Sequence, residues 1–180
     1  MQLPKIFDSI SSFRQEESLP TFNTLGEYIS YILPSIRPWG EDLYEKENYL
    51  NKPWKEFRDD ESFRDTVVYF FKEGREFMIS INGDVSRGSW ELMEENNQMI
   101  LDKSRNMELY DLAFLNSNFF ILRKHGTNKY FVLGSESTTG NLSWREYAEA
   151  LSQVYESNNS VVIIVTVIVL MVIALLFLLI

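Results

Sequence analysis

Cysteine is absent from this sequence, and histidine occurs once, at position 125. The first absence rules out a disulfide framework, a thiolate nucleophile and any cysteine-ligated zinc site. The second rules out a metal cluster built from several imidazoles. It also leaves any serine–histidine–carboxylate arrangement dependent on His125 alone. Glycine-rich phosphate loops, the dinucleotide fingerprint and the G-x-S-x-G elbow are all missing. Positive charge is scarce: 17 Lys and Arg face 26 Asp and Glu, for a net charge of −9. A surface of that sign has no general attraction for phosphate backbones, so nucleic acid is not an expected partner. The residues assign no catalytic group, no cofactor and no metal site. The expectation is a chain without enzymatic activity.

What is present is aromatic and apolar. Aromatics make up 14% of the 180 residues, and the last twenty residues supply only Phe177. A chain so rich in large side chains can bury a core of ordinary size.

The last twenty residues, VVIIVTVIVLMVIALLFLLI, carry no charge, no Pro and no Gly. A helix of that length rises about 30 Å, the thickness of a bilayer's hydrocarbon core. Its many β-branched residues are poor helix formers in water, but in lipid the backbone must satisfy its own hydrogen bonds. A core helix would carry more polar positions than the single Thr166. Val161–Ile180 is therefore read as one transmembrane anchor, with the lipid bilayer as its partner. The opening MQLPKIFDSISSFRQEE lacks the apolar core of a secretory signal. The expected topology leaves the N-terminal domain in the cytoplasm, at the inner membrane. The positive-inside rule adds nothing, because Arg145 is the only basic residue in the twenty positions before the run.

Four zones follow from periodicity. Residues 1–43 read as helical: Leu3, Ile6, Phe7, Ile10 and Phe13 recur at helical spacing, as do Phe22, Leu25, Tyr28, Ile29 and Ile32. Pro20-Thr21 is expected to start the second helix and Pro34 to end it. Residues 44–135 read as strands, at 54–57, 67–72, 76–82, 89–93, 98–102, 107–114, 118–124 and 129–134. Loops this short force antiparallel neighbours, so the expected fold is mainly β with flanking helices. About eight strands form a meander that curls into a small barrel or sandwich. Tyr69, Phe71, Phe77, Trp90, Phe114 and Phe120 are expected to fill its interior. Residues 136–160 read as a polar linker, then a helix with Ser143 and Glu146 as a capping box. Gly83 is expected to need positive φ in a hairpin turn, whereas Gly140 is expected to tolerate substitution.

Several pieces resemble an uncharacterised group of small β-rich proteins of Bacteroidetes. They are NKPW at 51–54, VVYFFKEGREFMISINGDVSRGSWEL at 67–92, NNQMILD at 96–102 and MELYDLAFLNSNFFILRKHGTNKYFVL at 107–133. The resemblance covers roughly half the chain. It implies a β-domain and a bacterial origin, and no reaction. Gly88-Ser89-Trp90 also resembles the glycine–x–tryptophan of lipocalins, where the motif opens the first strand. Here two or three expected strands precede it.

The remaining candidates have plainer readings. His125 falls in a turn between two strands, as a solvated residue. Asp59, Asp60 and Glu61, and likewise Glu94 and Glu95, could offer oxygens to Ca²⁺ or Mg²⁺. Charged loops are the simpler reading, with Arg58 and Arg64 flanking the first cluster. Trp54 and Trp90 fall on strands and belong in the core. Trp39 and Trp144 lie near element ends, facing a helix–sheet junction or a partner. The Leu3–Phe13 face carries Lys5, Asp8 and Arg14, which is not a basic membrane-binding face, so docking on the β-domain is expected. The leading functional expectation is a C-terminally anchored interaction or accessory module of a membrane complex, with a membrane-protein partner. The alternative is a lipocalin-like binder of a lipid or other apolar small molecule.

Overall fold

The computed structural model describes residues 22–60, 62–103 and 106–178. The expected Leu3–Phe13 helix and the Pro20-Thr21 helix start lie outside the described residues.

The first described helix, α1 (Leu25–Ile36), starts at Thr24, whose hydroxyl accepts from the Glu27 amide at 3.2 Å. Its buried stripe is Leu25, Tyr28, Ile29, Ile32 and Ile36. Pro34 sits inside α1 and does not end it, contrary to expectation. Proline costs the helix one hydrogen bond, to the Ser30 carbonyl. Burial of Ile32 and Ile36 holds the last turn, and the Arg37 amide donates to the Leu33 carbonyl.

Eight strands follow: β1 (Pro53–Phe57), β2 (Val67–Phe71), β3 (Glu76–Ile81), β4 (Asp84–Met93), β5 (Gln98–Asp102), β6 (Met107–Leu115), β7 (Phe119–Lys124) and β8 (Tyr130–Ser135). Each pairs antiparallel with the next, and β8 pairs with β1, so the meander closes into a barrel. Closure leaves no unpaired edge. Alternation sends one face of each strand inward. Trp54, Tyr69, Phe71, Phe77, Trp90 and Phe120 fill the interior with Met99, Leu101, Leu122 and Leu133. Eight strands make a lumen just wide enough for such packing.

Phe114 is a correction to the expected interior set. A bulge between Leu112 and Phe114 shifts the β6 register. One extra residue reverses the alternation, so Ala113 and Phe114 both join the outer layer beneath α1 while Leu115 faces in. Gly88-Ser89-Trp90 lies within β4, with three strands before it. A side chain at Gly88 would overlap the Asp102 carbonyl of β5, so that glycine allows a close strand approach.

The expected polar linker is a second correction. Residues 136–139 form a short helix, α2 (Glu136–Thr139), in which Thr139 is buried and donates to the Ser135 carbonyl at 2.8 Å. The Lys55 ammonium donates to the Gly140 carbonyl at 2.6 Å. A Cβ at Gly140 would overlap the Glu136 carbonyl, so this position is packed tightly.

The last helix, α3 (Trp144–Leu178), is one continuous element. The capping box forms: the Ser143 amide donates to Glu146 Oε2 at 2.7 Å, and the Glu146 amide donates to Ser143 Oγ at 3.3 Å. Tyr147, Ala148 and Leu151 are buried against the barrel wall and α1. Gly134 on β8 makes the room. The Tyr147 hydroxyl donates to the Leu133 carbonyl at 3.0 Å, and its ring lies 4.3 Å from that of Phe57.

Candidate functional site

The two ends of the barrel differ. One is stoppered by residues 41–52. Tyr49 is fully buried, and its hydroxyl donates to the Leu43 carbonyl at 2.9 Å. The Trp54 indole donates to the Tyr49 carbonyl at 3.0 Å. The Leu43 amide donates to Asn97 Oδ1 at 2.9 Å, and the Asn97 amide group donates to Asp42 Oδ1 at 2.6 Å.

At the other end, inward positions of the strands carry charge above an aromatic floor. Glu56 is the inward neighbour of Trp54 on β1, and its side chain is only 9% exposed. It accepts a fork from Arg58, at 2.6 Å from Nε and 2.9 Å from Nη2, and a third bond from the Tyr69 hydroxyl at 2.8 Å. Those hydrogen bonds raise the Arg58 pKa above its ordinary value. The guanidinium also lies 4.0 Å from the Phe63 ring centroid, within cation–π range.

Glu108 on β6 is held in the same manner. It accepts from the Lys124 ammonium at 2.6 Å, from the Tyr110 hydroxyl, and from the Asn106 amide group at 3.0 Å. The Lys124 and Tyr110 bonds pull its carboxyl down to about 2 despite desolvation. Burial pushes the phenols of Tyr69 and Tyr110 well above their ordinary pKa, so both act as hydrogen-bond donors.

Lys103 completes the mouth. Its ammonium sits 4.3 Å from the Phe131 ring centroid and 5.5 Å from that of Tyr69. Burial lowers its pKa; Glu56 and Glu108 oppose that shift, and Arg58 and Lys124 add to it. Both carboxylates here are fully engaged as acceptors and both phenols stay protonated. The arrangement suits recognition of charge better than proton transfer.

The candidates expected from the sequence are dispersed. Asp59 accepts from the Leu25 amide at 2.7 Å, at the first turn of α1. Asp60 caps its own loop through Ser62. Glu61 lies outside the described residues. Arg58, expected to neutralise this cluster, is forked onto Glu56 instead, because the strand period aims both into the mouth. Glu94 meets Lys46 at 3.6 Å. Among the described residues no group of three or more His, Asp or Glu is placed to hold a metal ion. His125 is exposed in the β7–β8 turn, with Nδ1 2.9 Å from Asp111 Oδ1. Asp111 is partly desolvated, yet its bonds to His125 and Gln98 leave its pKa below the ordinary value.

Trp54 and Trp90 are core residues, with indoles donating to the Tyr49 and Lys72 carbonyls. Trp39 is 38% exposed. It lines an open cleft of about 550 Å³ with Phe119, Leu142, Ala150 and Val154. A second cleft, of about 340 Å³, lies between α1 and the outer face of β6 to β8. Both clefts are outside the barrel wall. Sequence reasoning missed Glu56, Lys103 and Glu108. The available signal was a carboxylate at an inward strand position beside Trp54, and another two residues from Tyr110.

No protein-family model, no curated protein and no solved structure matches this chain.

Past Val154, side chains of α3 are described at 166–171 and 173. Val167, Ile168, Val169, Leu170 and Met171 are 44–61% exposed. Five consecutive residues cover every face of a helix, so no part of the described chain packs over this stretch. Among the described residues, no helix is long and apolar enough to cross a membrane. The remaining side chains of the Val161–Ile180 run lie outside the described residues.

Proposed function

We propose that this chain is a non-enzymatic β-barrel module held at a membrane by the C-terminal half of α3. The supporting observation is the bare apolar stretch of that helix. A side chain of this size forgoes roughly 1.5–3 kcal/mol when left in water instead of being buried. At roughly half exposure each, five in succession forgo about 5 kcal/mol, comparable with the lower end of a whole domain's stability. An apolar helix of this kind belongs in lipid or inside a larger assembly. The uninterrupted apolar sequence 161–180 favours lipid.

In this reading the barrel stands on the cytoplasmic side of a bacterial inner membrane and presents its surfaces to a membrane-protein partner. The resemblance of residues 51–133 to the β-rich Bacteroidetes group fits the same picture. The second reading, a lipocalin-like binder of an apolar molecule, draws support from the closed eight-stranded barrel. The packed aromatic interior weighs against a ligand held within it.

The test is fractionation of the full chain beside a version ending at Ser160, since every buried residue among those described precedes residue 155. The full chain is expected in membranes after a high-salt wash, and the shortened one in the soluble fraction with an unchanged circular dichroism spectrum. Membrane retention of the shortened chain would overturn the assignment of α3 as the anchor. Activity of an export-dependent reporter fused at Met1 would move the barrel to the opposite face.

A further inference from the structure

Among the described residues, the barrel mouth holds three cations, Arg58, Lys103 and Lys124, and two carboxylates, Glu56 and Glu108. Arg58 is engaged by Glu56 and Lys124 by Glu108. Lys103 makes no ion pair among the described residues. Its ammonium is half-buried over two rings, and each carboxylate already accepts three hydrogen bonds from other donors. A partly desolvated cation that must share carboxylates with two other cations is incompletely compensated, and among the described residues the cations of the mouth outnumber its carboxylates by one. That excess is conspicuous on a chain whose net charge is −9.

We propose that the charged barrel mouth binds a single carboxylate group, held by the Lys103 ammonium against the Phe131 and Tyr69 rings. Charge chooses among anions. Glu56 and Glu108 flank the ammonium, so an entering group meets two fixed negative charges. A monoanion balances the excess; a phosphate dianion adds repulsion from both carboxylates. The rings add an apolar wall, which favours a carboxylate borne on an apolar or aromatic body. The filled interior keeps that body at the rim. The same chemistry is offered by a free organic acid and by the C-terminal carboxylate of a partner chain. The site is independent of the anchor, so it stands or falls separately from the membrane reading.

The experiment uses the full chain in a mild non-ionic detergent. Benzoate replaces chloride at constant pH and ionic strength. Lysine acylation is followed residue by residue by mass spectrometry, with exposed Lys129 as the internal reference. At ten times its dissociation constant, benzoate occupies all but about one site in eleven. Labelling of Lys103 then slows about tenfold while that of Lys129 does not change. A companion measurement follows thermal unfolding. Benzoate raises the midpoint of the parent protein, and Lys103→Met abolishes that rise. A short peptide with a free C-terminus, compared with its amide, tells a chain terminus from a free acid as the source of the carboxylate. Equal slowing at Lys103 and Lys129, or an undiminished benzoate response in Lys103→Met, would overturn the site. A phosphate response as large as that of benzoate would overturn the choice of a carboxylate.

Discussion

Gly134 is where the barrel meets α3, and Gly134→Ala measures how tightly they are joined. A Cβ there would overlap the Thr139 hydroxyl and lie 2.9 Å from the rings of Phe57 and Tyr147. Those rings pack against each other at 4.3 Å with 33° between their planes, and Tyr147 is fully buried, so neither can swing away. Relief requires α2 and α3 to back off β8 together. Overpacking of this kind costs about 1–3 kcal/mol. For a domain of this size each kcal/mol lowers the midpoint by roughly 2–4 °C, so the expected fall is about 4–8 °C for a cost near 2 kcal/mol. The assay is thermal unfolding of the full chain in detergent, followed by near-ultraviolet circular dichroism, which reports the packing of these rings. Removing the nearest obstacle in Gly134→Ala/Thr139→Ala should recover part of the loss, because the two sites are in contact and their effects do not add. A midpoint for Gly134→Ala equal to that of the parent would refute the seating of α3 against β8.

Two further outcomes follow from the same geometry. Glu108 has its folded pKa depressed from 4.5 to about 2. Its contribution to stability is present above the unfolded value and is lost as pH falls from about 4.5 toward 2. In Lys124→Met the main hydrogen bond is gone and the folded pKa rises toward 4.5, so the acid loss should be smaller and complete at a higher pH; identical pH profiles for the two proteins would remove Lys124 as the cause. In the β3–β4 hairpin, Asn82 and Gly83 both have positive φ, at 52° and 97°. Gly83→Val should cost roughly 1–3 kcal/mol through backbone strain alone, since nothing lies within 4 Å of its Cβ position. Gly140→Val should also destabilise, through its overlap with Glu136, and an unchanged denaturation midpoint would show that residues 136–140 are a loose linker after all.

The strands were legible in the sequence because alternation and turn residues agree. Seven of the eight expected strand segments lie within one or two residues of the observed bounds. The eighth is half as long as the real one. β4 begins at Asp84, and its first half, Asp84–Gly88, holds Val85 as its one large apolar residue, itself exposed, so it carries no apolar alternation to read. The bulge in β6 was illegible for a related reason. Leu112, Ala113, Phe114 and Leu115 are all apolar, and nothing local says that two neighbours share a face. Pro34 misled because the rule for proline concerns helix interiors, whereas burial of Ile36 keeps the final turn closed. The stretch 135–142 looked like a linker from its composition. Its Ser and Thr side chains instead satisfy carbonyls in a packed corner, a use that composition cannot reveal. The mouth escaped notice because its charged residues are scattered over three strands and two loops, and only barrel closure gathers them.

Helix α3 passes from the barrel wall to the bare apolar stretch without a break, and in the proposed membrane-held arrangement this makes it an axle as well as a tether. Each residue of an α-helix turns the chain by about 100° and lifts it by about 1.5 Å. One residue inserted after Ser160 would therefore swing the whole barrel about a quarter-turn around the helix while barely changing its height. Seven inserted residues would raise it by about 10 Å and return it almost to its starting direction. Heading and elevation can thus be varied separately, and a partner that meets one particular side of the barrel would follow the heading.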